Sequence, residues 1–589
     1  MNETSYQIID GKVIIRVRDR ICEKPEELFA SDLFMEILKR ASGDLQHRNS
    51  PLLGIFPNPS EITHADLRRL ADTLSYLTKV PAELVPRLVE GAETFFQDRN
   101  RFNDFIEYLY NYWRSTQRLI ICDSEGSRFD QRPYRTFNNT VEQLTGLIRS
   151  TYRDLQESIT GAHPRIYRQV RAGAEIAAIA RPRDIRYPDD RYHIYQKLAA
   201  IPVIRQVLIY PPLIFNPPMN KRTGEFEHIH ANPLDQIHLS KENWLCYPAR
   251  VGSLLVMIYF SMHFFELGFS LCNLFELADD DDLKRTPDAV LLYGVPDPIQ
   301  GSPSGNQTVF YDDKDNKLLV GSIPGKPEFG YFGYLKKMAL TLHNIKMMQR
   351  GRMPFHGAML RLTLHGHKPA TVLLMGDTGT GKSETLEALR TLASDEIEDL
   401  LIIADDMGSL EIAKTGKVMG YGTETGAFVR LDDLNPGFAF GQIDRTIILN
   451  PAQTNARVVL PVTTYENIIH GFPVDIVLYA NNFDKVTPEI PVIQPFDTAE
   501  NALTIFRAGE AMSKGTTTST GKTATYFANV FGPMQYQAEH EVVAKRFFQT
   551  FFEQGMFVGQ LRTCLGIPGW EQKGPMAAAQ ALLELVRSR

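Results

Sequence analysis

One segment leaves this chain few choices. Gly376-Asp377-Thr378-Gly379-Thr380-Gly381-Lys382-Ser383 satisfies G-x-x-x-x-G-K-[ST] without a mismatch. Glycines at these places let backbone N–H groups turn inward around phosphate oxygens, and a helix that follows aims its positive end at the same anion. In such a loop Lys382 neutralises β/γ charge and the Ser383 hydroxyl ligates the Mg²⁺ that accompanies ATP. The flanks agree. Residues 358–364 read as a strand, 366–369 as a turn, 371–375 as a second, buried strand and 384–392 as a helix. A similar stretch, Gly515 to Thr523, carries one residue too many between its glycines and follows no clear strand, so it reads as a polar loop.

Further candidates gather around that loop. Residues 400–404 form an apolar run ending in Asp405-Asp406, and carboxylates at the tip of a buried strand beside a phosphate loop are where a nucleotide's metal is held. His356 stands just before the strand at 358–364, where a histidine taken alone is more often structural than a ligand. Lys336-Lys337 lies on a helix expected at 333–350, and a lysine pair on a helix is by default a solvated face. The acidic run Asp279 to Asp282 reads as a solvated loop.

The chain's 589 residues exceed one ordinary core. An apolar content of 43% with 23% charged residues is that of a folded globular protein. Lys+Arg 63 against Asp+Glu 70 gives a net charge of −7, which argues against nucleic acid or an anionic membrane as partner and leaves room for a local anion pocket. Five scattered cysteines without a CxxC pair speak against a thiolate metal site or a disulfide framework and fit a reducing cytoplasm. Residues 1–20 lack the apolar core of a signal peptide, and 254–277, the most apolar stretch, is expected to be a buried core helix rather than a membrane span. Helices are expected at 66–77, 89–112 and 140–159. Short apolar runs such as 203–210 and 476–480 are expected as strands. No pattern specifies an oligomeric state.

Taken in register, the motifs resemble ATP-type phosphoenolpyruvate carboxykinase. Tyr331-Phe332-Gly333-Tyr334-Leu335-Lys336-Lys337 looks like that family's Y-x-G-E-M-K-K, and Met353 to Ala358 is similar to its M-x-x-H-x-S/A. Ile403-Ala404-Asp405-Asp406 resembles I-G-D-D, Asn455 to Pro461 resembles N-T-R-x-x-Y-P, and Phe527 to Gly532 resembles F-S-A-C-F-G. Pro287 to Val290 fits a family strand. The likeness is good from about 240 to 565 and faint before.

The resemblance implies a mixed α/β fold of two lobes with the phosphate loop in the C-terminal lobe. It divides the chain into a mainly helical segment at 1–120, a divergent substrate lobe at 121–240 and a catalytic domain at 241–575. It implies that Lys337, His356 and Asp406 hold Mn²⁺, with Asp405 and Ser383 ordering the shell, and that Gly376 to Ser383, followed by Glu384, bind ATP. Arg457, Tyr331 and Lys336 would handle an oxaloacetate- or phosphoenolpyruvate-like substrate, with Arg128 standing in for the family's N-lobe arginine. Departures are visible too. Ser383-Glu384 resembles the bacterial HPr kinase/phosphorylase loop, Tyr334-Leu335 replaces E-M, and Thr518 and Ala524 replace residues near the adenine. Three readings follow: a carboxykinase-type lyase, a kinase on the same scaffold acting on another small molecule or a protein side chain, and a nucleotide-binding module without turnover.

Overall fold

A computed structural model describes residues 4–589 except 19, 124–131, 164–165, 167–169, 183–184, 189–193, 297–298, 300–304, 306, 393–395, 434–442 and 514–520. The fold is mixed α/β, with several sheets and helices. The chain divides into two compact units, one of residues 1–182 with 204–210, the other of 183–203 with 211–589.

The first unit joins strands and helices around one apolar core. The strand Lys12–Val17 pairs in parallel with Arg118–Asp123, which pairs in parallel with Ile176–Arg181. The latter two are buried along nearly their whole length, as a parallel sheet covered on both faces requires. The helix expected at 66–77 runs His64–Leu77, and a reciprocal Thr63–Asp66 capping box sets its start. The helix expected at 140–159 lies within Arg132–Thr160. The one expected at 89–112 begins only at Arg99 and runs to Ser115. Gly91 sits at φ +78 before a short 3-10 turn, and the Asp98 side chain accepts from the Arg101 N–H, which restarts the helix there.

In the second unit the helix Phe332–Gln349 packs against strands of two sheets. One sheet runs, in spatial order, Trp244–Val251, Leu254–Ser261, Ala289–Val295, Leu318–Pro324, Val309–Asp313 and Glu227–Ile229. The other contains Met407–Ile412, Met353–Leu364, Ala370–Met375, Ile476–Asn481 and Phe557–Arg562, of which the last three are mutually parallel. Held between strands, the helix is buried nearly all round, so Lys336 is 2% exposed rather than on a solvated face.

The expectation of a core helix at 254–277 fails. The stretch opens as the strand Leu254–Ser261, antiparallel to Trp244–Val251, and only then becomes the short helix Phe265–Ser270. A strand buried on both faces carries no alternation, so periodicity alone cannot separate it from a core helix. In the acidic run, Asp279 and Asp282 both pair with Arg250 at 2.6 Å, so it is anchored rather than freely solvated. Among the described residues, no helix is long and apolar enough to cross a membrane.

Candidate functional site

The glycine-rich loop leaves the C-terminal end of Ala370–Met375 and leads into the helix Lys382–Leu392. Two of its glycines, Gly376 and Gly381, are sterically obligatory. A Cβ on Gly376 would stand 2.5 Å from Thr380 Oγ1, and one on Gly381, at φ +92, would stand 2.6 Å from the Thr563 side chain. Both neighbours shape the loop, since Thr380 Oγ1 donates to the Asp377 carbonyl at 2.7 Å and Thr563 Oγ1 to the Thr380 carbonyl at 2.6 Å. The Lys382 amine is folded over the loop, donating to the carbonyls of Gly376 and Asp377 at 2.6 and 2.9 Å. Burial lowers its pKa, against the opposing charges of Asp406, Asp377, Asp405 and Glu384. Ser383 and Thr378 are exposed.

Three separate segments meet here through their backbones. The Gly376 N–H donates to the His356 carbonyl at 3.0 Å, and the Gly357 N–H to the Asp406 carbonyl at 2.9 Å. His356 therefore lies inside the strand Met353–Leu364, not ahead of it, because 353–356 pairs with 407–410. The carboxylate of Asp406 then joins two motifs. Its Oδ2 accepts from Lys336 Nζ at 2.7 Å, and its Oδ1 faces His356 Nε2 at 3.0 Å. Burial favours a neutral Asp406, but Lys336 and His356 outweigh it and hold the carboxyl well below its usual range.

Burial likewise opposes the charge of Lys336, yet Asp406 and Glu424 prevail and its pKa rises. Glu424, 1% exposed with Oε1 at 3.2 Å from the same amine, is pushed up to about 7 by burial, with Lys336 opposing. Lys337 goes the other way. Its amine lies 4.8 Å from the centre of the Phe531 ring, and burial reinforced by Arg222 pulls it down to about 8, with Asp406 and Asp377 opposing.

The backbone behind this cluster is strained. Phe527, Ala528 and Asn529 occupy left-handed conformations at φ 45, 57 and 63, each costing on the order of 1–3 kcal/mol. The bend delivers the Ala528 carbonyl to His356 Nδ1. Nδ1 thus donates to that carbonyl, which fixes the ring with Nε2 towards Asp406.

Phe428 links the cluster to a patch of arginine. Its ring centre is 5.9 Å from Lys336 Nζ, 5.5 Å from the Arg457 guanidinium carbon and 5.8 Å from the Tyr331 ring centre. Arg457 and Arg430 are direct cross-strand partners, so two like charges share one face, and Arg430 pairs with Asp432 at 3.3 Å. Arg457 Nε is buried without a hydrogen-bond partner among the described residues. Burial raises the pKa of Tyr331 while Arg457 and Lys336 oppose.

Of the residues singled out by sequence, Lys336, Lys337, His356, Asp377, Lys382 and Asp406 interact directly or electrostatically. Asp405 acts on Lys336 and Lys382. Arg128 and Thr518 lie outside the described residues, and Ala524 pairs with Glu510 in a two-stranded ribbon. Glu424, Phe428, Arg430 and Arg222 belong to no motif, and nothing in the linear pattern marks them. Among the described residues there is no group of three or more His, Cys, Asp and Glu that could hold a metal, and the expected set of Lys337, His356 and Asp406 contains only two residues of those types. No protein-family model matches the chain, and no curated protein matches it.

Proposed function

We propose that this chain transfers the γ-phosphate of ATP to oxaloacetate, which loses CO2 to give phosphoenolpyruvate, and that residues 211–589 form a carboxykinase-like catalytic unit whose glycine-rich loop is its P-loop. The observation that carries the reading is Asp406, held ionised between Lys336 and His356, the second of which takes the Gly376 N–H of that loop on its own carbonyl. Around it stand the cations Lys336, Lys337, Lys382, Arg222 and Arg457, with the acids Asp377, Asp405 and Glu424 among them. Such a set suits a polyanionic reactant.

A divalent cation, Mn²⁺ or Mg²⁺, fits the donor set. His356 Nε2 and Asp406 Oδ1 face each other at 3.0 Å, and both are groups that would hold such a cation. With its pKa drawn down to about 8, Lys337 can supply a neutral amine beside them, and Asp405 and Ser383 would complete the shell. When bound, the cation supplies Lewis-acid neutralisation of oxygen charge.

The chain's own residues do the rest. Lys382 and the loop N–H groups bind phosphate oxygens. Arg457 offers a planar fork, with one unpaired buried N–H, to the acceptor carboxylate, and Tyr331 orients it. Lys336 stays protonated and fixes Asp406. As the C–C bond to the leaving carboxylate breaks, its electron pair passes to the enolate. The enolate oxygen then attacks the γ-phosphorus in line, and ADP leaves.

A second reading, phosphorylation of a different acceptor, is favoured by Tyr334. This residue stands where the carboxykinase pattern has Glu, and its hydroxyl is tied to the Thr223 backbone N–H and carbonyl, both at 3.0 Å. The test is phosphoenolpyruvate formation from oxaloacetate, ATP and Mn²⁺. The expected result is turnover that drops about 100-fold or more in Lys337→Ala. ATP consumption only with another acceptor selects the second reading, and absence of turnover with any acceptor sinks both.

A further inference from the structure

Asp377, the second residue of the glycine-rich loop, brings a negative charge to a segment built to receive one. Loops of this kind bind phosphate through backbone N–H groups. Here the Thr378 N–H donates to Asp377 Oδ1 at 2.7 Å, so one of those groups is held by the chain's own acid. The helix that follows starts only at Lys382, so the carboxylate is not its cap.

The same carboxylate faces the cations of the cluster. Its Oδ1 lies 3.8 Å from His356 Nδ1, and its Oδ2 accepts from Thr525 Oγ1 at 3.5 Å. Burial lowers the pKa of both Lys337 and Lys382, and Asp377 is among the acids that oppose it. The side chain is only 19% exposed, so solvent screens its field incompletely. Lys382 Nζ meanwhile donates to the Gly376 and Asp377 carbonyls. A phosphate entering the loop must take an N–H and an amine from these partners and stand beside a like charge, which is unfavourable.

Resting on the reading of residues 376–383 as a P-loop, we infer that Asp377 is an internal anion that competes with the nucleotide's phosphates for the loop and so sets the affinity of the site for polyphosphate. The opposition grows with the charge brought beside the carboxylate. ATP is opposed most, ADP less, and AMP, which carries the least charge, least. A purely structural role, in which the side chain only shapes the loop through the Thr378 N–H, predicts no such order. Asparagine separates the two, because it keeps the acceptor oxygen and drops the charge.

The test is calorimetric titration of the full chain with ATP, ADP and AMP in EDTA, where no divalent cation masks the carboxylate. Asp377→Asn should bind ATP about tenfold tighter than the parent, ADP by a smaller factor and AMP within about twofold. ATP affinity that is unchanged or weaker in the variant, or an equal gain for all three nucleotides, overturns the inference and leaves the P-loop reading standing. No nucleotide binding by either chain overturns both. Should Asp377→Asn fail to fold, Asp377→Ser, which also removes the charge and keeps an acceptor, decides on the same outcomes.

Discussion

His343 and His540 are buried to within 1% and carry pKa values lowered to about 4, in both cases chiefly by burial. Each stays neutral in the folded chain while its unfolded counterpart takes up a proton below pH 6.5. The unfolded state therefore binds more protons, and stability is lost as pH falls from 6.5 towards 4, by up to about 3 kcal/mol per histidine. Glu424 slopes oppositely: raised to about 7, it withdraws stability as pH climbs from 4.5 through 7. The informative quantity is thus a difference. Urea unfolding of His343→Asn should show a shallower acid loss than the parent between pH 6.5 and 4, and identical slopes would refute the assignment. Members of the cluster were legible in sequence only where a motif marked them. Gly381, Lys382 and Asp406 announce themselves by spacing, whereas Glu424 and Arg222 reach the cluster through long-range packing that no local pattern encodes.

The helix Phe332–Gln349 and the strained segment after Phe527 act together. Asn344 on that helix is fully buried, and its Nδ2 donates to the Phe531 carbonyl at 2.8 Å, which fixes the residue whose ring lies under Lys337. Asn344→Leu keeps the volume and strands that carbonyl, so it should cost about 1–3 kcal/mol in urea unfolding. A loss below about 0.5 kcal/mol would mean the two elements are not joined there. Elements with one wet face, or with a glycine-rich turn after an apolar run, were readable from the sequence: His64–Leu77 and the pair Ala370–Met375 and Lys382–Leu392 came out within a few residues. The misreadings share a cause. Along 254–261 every position is buried, so the periodic contrast that betrays an element is missing, and along 332–349, where the helix was read in place, the same burial hid that Lys336 faces inward. Likewise the strand Met353–Leu364 was read short, because Pro354 and Gly357 look like breakers until the partner strand 407–412 is known.

Each unit of the molecule has a hydrophobic core of its own residues. Thermal unfolding is therefore expected in more than one transition, and ATP should move only one of them. ATP with Mn²⁺ should raise the transition of residues 211–589 by about 2.7 kcal/mol at a hundredfold excess over its Kd and leave that of residues 1–182 in place. Calorimetric scans check this, and a single transition, or two moved equally, would contradict it. The first unit is also assembled out of order. Residues 204–210 belong to it, whereas 183–203 belong to the second, and Tyr210 N–H closes back on the Glu175 carbonyl at 3.1 Å. A ribosome delivers residues in sequence, so the sheet next to Ile176–Arg181 waits one strand short until the chain has gone elsewhere and returned. A gene fragment stopping at 182 would carry that bare strand edge permanently, ready to pair with the same edge on another copy.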